Sequence, residues 1–133
     1  MLVADDDPGI LQALSSCLTR AGFAVTTALD GAQAIELANT EDFELVVVDL
    51  NMRTSGIAVV RHVRQRLGTS VYCAVLSGDD GEDTREACLG AGADEVFVKP
   101  APASTLRRRL TEVAQALRAG GAAQPAFAHQ RSA

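Results

Sequence analysis

Five polar side chains stand where apolar runs stop. Asp5 and Asp6 follow Leu2-Val3-Ala4, Asp49 follows Val46-Val47-Val48, Ser77 follows Val75-Leu76, and Lys99 follows Val96-Phe97-Val98. In an open parallel sheet, ligands bind beyond the C-terminal strand ends, where the strand order reverses. If the first and third runs are neighbouring strands, the three aspartates converge there. Two carboxylates about 4 Å apart repel by roughly 4 kcal/mol at an effective dielectric near 20, so three call for a counter-charge. A divalent cation supplies one, and oxygen-only ligands favour magnesium, which keeps several waters and needs only one or two carboxylates. Lys99 can neutralise an acid without the metal and contact an anion with it, and the Ser77 hydroxyl can bond a phosphoryl oxygen. Acid, metal, hydroxyl and ammonium are together the parts for in-line phosphoryl transfer onto a carboxylate. Any one of these residues alone reads as a turn or cap residue; the signal is the set.

The elements that position them are legible from spacing. Leu2 to Ala4 reads as a strand. Asp7 as N-cap, Pro8 at the first helical position and apolar residues at Ile10, Leu14, Cys17, Leu18 and Ala21 predict a helix that Gly22 stops. Phe23 to Leu29 reads as a second strand, followed by a helix after Asp30-Gly31 carrying Ile35, Leu37 and Ala38. Leu45 to Val48 is apolar on both faces, as a central parallel strand must be. The next helix turns Ile57, Val60, Val63 and Leu67 inward and Arg61, Arg64 and Arg66 mostly outward. Val71 to Leu76 is the fourth strand and Glu82 to Leu89 a weak helix ended by Gly90-Ala91-Gly92. Val96 to Val98 is a short fifth strand, and a last helix from near Pro102 carries Leu106, Leu110, Val113, Ala114 and Leu117. Five strands alternating with five helices predict an α/β, doubly wound (βα)5 fold with helices on both faces of a parallel sheet.

The 133 residues suffice for one core. A domain over 1–118 and a C-terminal tail or linker over 119–133 are expected. With 47% apolar and 22% charged residues and a net charge of −5, the composition is that of a soluble globular protein. Without a membrane-length apolar run or a signal-peptide pattern, a cytoplasmic location is expected. The acidic balance argues against a general grip on nucleic acid. Cys17, Cys73 and Cys88 are widely spaced and read as small buried hydrophobes, not a disulfide or zinc framework.

Across about residues 1 to 118 the sequence resembles the CheY-like receiver domains of two-component response regulators, a flavodoxin-like fold. The resemblance is carried by ADDD, VVVDLNM, VLSG and GAGADEVFVKP in that order. It implies a strand order of 2-1-3-4-5 and a phosphoryl group accepted by Asp49 from a histidine kinase or phosphotransfer protein. Magnesium would be held by Asp6, Asp49 and the backbone carbonyl of Asn51, with Asp5 acting mainly through the outer shell. Ser77 would move to bond the phosphoryl group and Lys99 would pair with it. Asn51 and Asp79 stand where receivers tune phosphoryl lifetime. The face of the fourth helix, fifth strand and fifth helix would report the change to a downstream protein or linked output domain, and a homodimer through that face is a further expectation. Such a domain catalyses only its own phosphorylation and slow self-dephosphorylation, so it is not expected to be an enzyme in the ordinary sense.

The departures are specific. Arg53 replaces a usual proline, so a less rigid loop or an added positive charge is expected beside the site. Val96 occupies the aromatic switch position, with Phe97 next to it, and Ala101 replaces the usual aromatic after Lys-Pro. The chain starts almost on its first strand, which reads as a trimmed N-terminus, and it is either a stand-alone receiver or part of a longer regulator. Arg107-Arg108-Arg109 reads as a solvated helix surface, with a basic contact surface for an acidic partner or self-association as the alternative, and His62 reads as exposed and uninvolved. Two other functions stay open: a receiver-like binding domain working without phosphorylation, and a small magnesium-dependent aspartyl phosphatase. Against the latter, Asn51 stands where that chemistry wants a second acid.

Overall fold

A computed structural model describes residues 1–120. Its elements are β1 (Leu2–Ala4), α1 (Pro8–Arg20), β2 (Thr26–Ala28), α2 (Gly31–Thr40) and β3 (Leu45–Asp49). They continue with α3 (Gly56–Leu67), a 3-10 turn at Gly68–Ser70, β4 (Tyr72–Ser77), α4 (Glu82–Ala91), β5 (Glu95–Val98) and α5 (Ala103–Arg118). The five strands are parallel in the order β2-β1-β3-β4-β5. This is the doubly wound fold expected from the alternation, with the order reversing between β1 and β3. The expected tail falls outside the described residues from position 121 onward.

Strand alternation sorts the side chains into two cores. Leu2, Ala4, Val46, Val48, Cys73 and Val75 pack with residues of α2, α3 and α4. Val3, Leu45, Val47, Tyr72, Ala74 and Leu76 face the other way, onto Leu11, Leu14 and Leu18 of α1 and Leu106, Leu110 and Val113 of α5. Every residue of β1, β3 and β4 is buried, which explains why these strands are apolar up to the Asp49 and Ser77 that end β3 and β4. Helix starts follow the capping residues: Asp7 accepts from the amides of Gly9 and Ile10, Asp30 from Gln33, and Ser55 from Ile57. Gly92 ends α4 at a φ of 115°, a conformation suited to glycine.

Four expectations need correction. The second strand spans only Thr26–Ala28, because this edge strand has one neighbour and β1 is itself three residues long. Phe23 and Val25 instead pack beneath the sheet as partly buried residues. Arg64 does not face solvent: its guanidinium bonds the carbonyls of Gly92, Gly68 and Val71 and lies 2.6 Å from Asp94. Arg107 and Arg108 are exposed, but Arg109 is half-buried against Glu95 at 2.8 Å, and Glu95 also accepts the Tyr72 hydroxyl. His62 is half-buried and bonds Asn39 of α2, joining α3 to α2. Cys73 and Cys88 are buried and Cys17 half-buried, all three as free thiols.

Candidate functional site

The polar ends of β1, β3, β4 and β5 meet on one edge of the sheet. The ladders run on into the loops: Asp5 N–H donates to the carbonyl of Ala28, Leu50 N–H to Leu76, and Lys99 N–H to Ser77. These bonds fix the backbone from which each functional side chain projects. Asp5, Asp6 and Asp49 each offer an oxygen within 4.8 Å of the others. Asp5 and Asp49 are buried, whereas Asp6 is exposed. Lys99 Nζ lies 2.8 Å from Asp49 Oδ1 and 3.6 Å from Asp5 Oδ2.

Burial, opposed by the hydrogen bond from Lys99 and reinforced by the charge of Asp5, holds the Asp49 carboxyl above its ordinary range. Burial alone would lower Lys99, but the hydrogen bond and charge of Asp49, with the charge of Asp5, outweigh it and hold the ammonium above its usual value. The carboxylate of Asp49 therefore costs the fold stability as pH rises through its raised pKa, a cost that a neutral side chain avoids. Asp49→Asn is accordingly expected to raise the thermal midpoint in magnesium-free buffer at pH 7. The advantage should shrink as the pH falls and Asp49 itself protonates; a gain independent of pH would contradict this account.

Asp5 Oδ1 accepts the Asp7 amide, but among the described residues Asp5 Oδ2 is buried without a hydrogen-bond partner, the Lys99 ammonium lying 3.6 Å away. A buried carboxylate oxygen left this way, beside two further acids, suits a hard cation with oxygen ligands. The residues present therefore fit magnesium. Asn51 is exposed on the loop after Asp49.

Ser77 is fully buried, and its hydroxyl is engaged within its own loop. It donates to the Asp79 carbonyl at 2.9 Å and accepts the Asp79 amide at 3.0 Å. The Asp79 side chain is exposed; bonds from the Thr84 hydroxyl and the Gly81 amide hold its carboxyl below the usual range. Val96 packs with the α3–α4 core and Phe97 with the α1–α5 core. The neighbouring ring thus faces the opposite side of the sheet from the switch position and cannot substitute for it. Arg53 is exposed and forms no ion pair among the described residues. Ala101 lines an apolar cleft of about 540 Å³ beside Lys99, with Ile10, Leu14, Leu76 and Leu106 among its walls.

Two supporting glycines escaped the sequence reading. A Cβ on Gly56 would lie 2.5 Å from the Asp49 carbonyl oxygen, and one on Gly31 would lie 2.1 Å from the Thr54 carbonyl oxygen. Both press on the loop that follows the phosphoacceptor candidate. The Ser-x-Asp spacing at 77–79 was visible in the sequence, but its link to Thr84 was not.

Residues 1–111 match the family model for the response regulator receiver domain. The chain belongs to this family of two-component receiver domains. The receiver is 41% identical over 101 residues to the transcriptional regulatory protein PrrA of Mycobacterium tuberculosis, covering 75% of this chain and 43% of that protein. The chain thus spans less than half the length of the curated relatives it matches. The receiver fold superposes on the chemotaxis response regulator CheY4 of Vibrio cholerae with a TM-score of 0.77 at 29% identity, covering 84% of this chain and 94% of that one. It is also similar to the receiver domain of sensor histidine kinase PA1611 from Pseudomonas aeruginosa (TM-score 0.75, 26% identity, 84% and 93% covered). That structure has a magnesium ion coordinated in its active-site cleft. Among the described residues, no helix is long and apolar enough to cross a membrane.

Proposed function

We propose that this receiver is a phosphoacceptor, taking a phosphoryl group on Asp49 from the histidine of a partner kinase or phosphotransfer protein. The observation that carries the reading is the position of Asp49: buried at the end of β3, beside two more acids, with the Lys99 ammonium 2.8 Å from Oδ1. Lys99 fixes one carboxylate oxygen and leaves Oδ2 to attack phosphorus. The new O–P bond forms as the donor's N–P bond breaks and the imidazole departs. Bound magnesium, held by Asp6, Asp49 and the Asn51 carbonyl with Asp5 supporting mainly from the outer shell, would neutralise charge on the phosphoryl oxygens. Lys99 then contacts the transferred group, and Ser77 donates its hydroxyl to it.

The added dianion biases an existing two-state equilibrium, with the surface of α4, β5 and α5 as the output face toward a downstream protein or linked output domain. Beyond its own phosphorylation and slow self-hydrolysis the domain turns over no substrate, and it acts in the cytoplasm without contacting nucleic acid directly. The test is incubation with a small phosphodonor and magnesium, followed by borohydride reduction of the acyl phosphate. One phosphate per chain and homoserine at position 49 are expected; phosphate on another residue, or none, overturns the assignment.

A further inference from the structure

We infer that Arg53 selects the phosphoryl donor: its guanidinium meets the incoming anion at an edge that otherwise repels it, so that phosphoryl uptake depends on donor charge. This rests on the phosphoacceptor reading of Asp49. Besides Asp49 itself, the loops beyond the C-terminal strand ends carry Asp5, Asp6, Asp7, Asp30, Asp79 and Asp80, against two cations, Lys99 and Arg53. Lys99 is already committed, 2.8 Å from Asp49 Oδ1 and 3.6 Å from Asp5 Oδ2. Arg53 is exposed and forms no ion pair among the described residues. It is the cation on this edge left to meet an anion from solvent.

The fold fixes where this charge stands. Met52 N–H donates to Leu50 O at 3.2 Å and Gly56 N–H to the same oxygen at 3.1 Å, closing a loop with Arg53 at its midpoint. Leu50 directly follows Asp49, and three Cα–Cα links place the Arg53 Cα within about 11 Å of that of Leu50. On one side Met52 is buried in the core of α2 and α3; on the other, Thr54 rests against Gly31 at the start of α2. Arg53, anchored between them, turns to solvent. A planar guanidinium suits a phosphoryl group, to which it can give two parallel hydrogen bonds. Arg53 draws the donor in and takes no part in bond making. With an acyl phosphate, the Asp49 Oδ2–P bond forms as the acyl O–P bond breaks, and the carboxylate leaves with the electron pair, needing no proton. With phosphoramidate the N–P bond breaks instead, and the already protonated nitrogen leaves as ammonia.

The test measures labelling of the 133-residue chain at saturating magnesium with two small donors near neutral pH: acetyl phosphate, a dianion, and phosphoramidate, a net monoanion. At low salt, Arg53→Gln should lower the second-order rate constant about fivefold with acetyl phosphate and about twofold with phosphoramidate, as expected for one cation acting through water on two charges or on one. Both differences should close at about 1 M salt, where the Debye length is about 3 Å. Arg53→Lys keeps the charge and should stay within about twofold of wild type, whereas Arg53→Glu should lose about as much again as Arg53→Gln. Self-hydrolysis of the phosphorylated protein should not change in Arg53→Gln, because the attacking water carries no charge. Equal losses with the two donors, a loss that survives high salt, or one that Arg53→Lys shares would assign Arg53 to loop shape and overturn the inference. A wild-type rate in Arg53→Gln, or hydrolysis altered in step with uptake, overturns it too. No label on the wild type from either donor overturns the phosphoacceptor reading and the inference with it.

Discussion

Arg64→Met is expected to destabilise the domain by about 3–5 kcal/mol, the usual cost of removing one partner from a buried ion pair. The Arg64 and Asp94 side chains are only 16% and 8% exposed, and Asp94 Oδ2 also accepts the Cys73 amide. Loss of the guanidinium strands a carboxylate in this interior and removes the donor to three carbonyls, those of Gly92, Gly68 and Val71. Those carbonyls belong to the end of α4, the 3-10 turn and the start of β4, so one side chain joins three segments to α3. Domains of this size are stable by about 5–15 kcal/mol in total, which makes the expected loss a large share. The check is the urea midpoint, with Arg61→Met on the exposed face of the same helix expected to shift it little. The double variant Arg64→Met with Asp94→Leu should recover part of the loss by removing the stranded charge. It should not recover all, because the carbonyls still lack their donor. Equal stability of Arg64→Met and wild type would contradict this role.

Arg64 also marks where the sequence stopped being legible. Apolar spacing on α3 correctly turned Val60 and Val63 inward, because a helix repeats on itself within a few residues. The same spacing says nothing of what covers the opposite face. Asp94, the partner that neutralises Arg64, lies 30 residues on in the chain. Arg109 was misread for the same reason, since Glu95 reaches it from β5. The edge strand was overdrawn because propensity measures what a segment could form, whereas its length was set by β1. The candidate site was more legible than these staples. Parallel strands deliver their C-terminal residues to one edge whatever lies between them, so Asp5, Asp6, Asp49, Ser77 and Lys99 could be grouped from order alone. The direction of the Ser77 hydroxyl and the two glycine contacts depend on loop conformation, which no periodicity encodes.

Gly56→Ala should slow phosphoryl uptake from a small donor by about 100-fold, the loss typical when a reacting group is misplaced by about 1 Å. The added methyl would lie 2.5 Å from the Asp49 carbonyl oxygen and 3.1 Å from both the Asp49 carbonyl carbon and Leu50 Cα. These are backbone atoms and cannot swing aside as a side chain would. Gly56 N–H is bonded to Leu50 O at 3.1 Å and Leu50 N–H to Leu76 O at 2.8 Å, so the strand end has little room to retreat. The displacement falls on Asp49 and on its 2.8 Å contact with Lys99. Overpacking of this kind should also cost about 1–3 kcal/mol in stability. Gly31, pressed against Thr54, braces the same loop from α2, so glycine contacts hold it where Arg53 replaces the usual proline. Gly90→Ala is the control: a Cβ there meets nothing within 4 Å, so the rate should stay near wild type, while the helical position should gain up to about 1 kcal/mol in stability and not lose any. Labelling of Gly56→Ala at the wild-type rate would mean that this close approach does not set the position of Asp49.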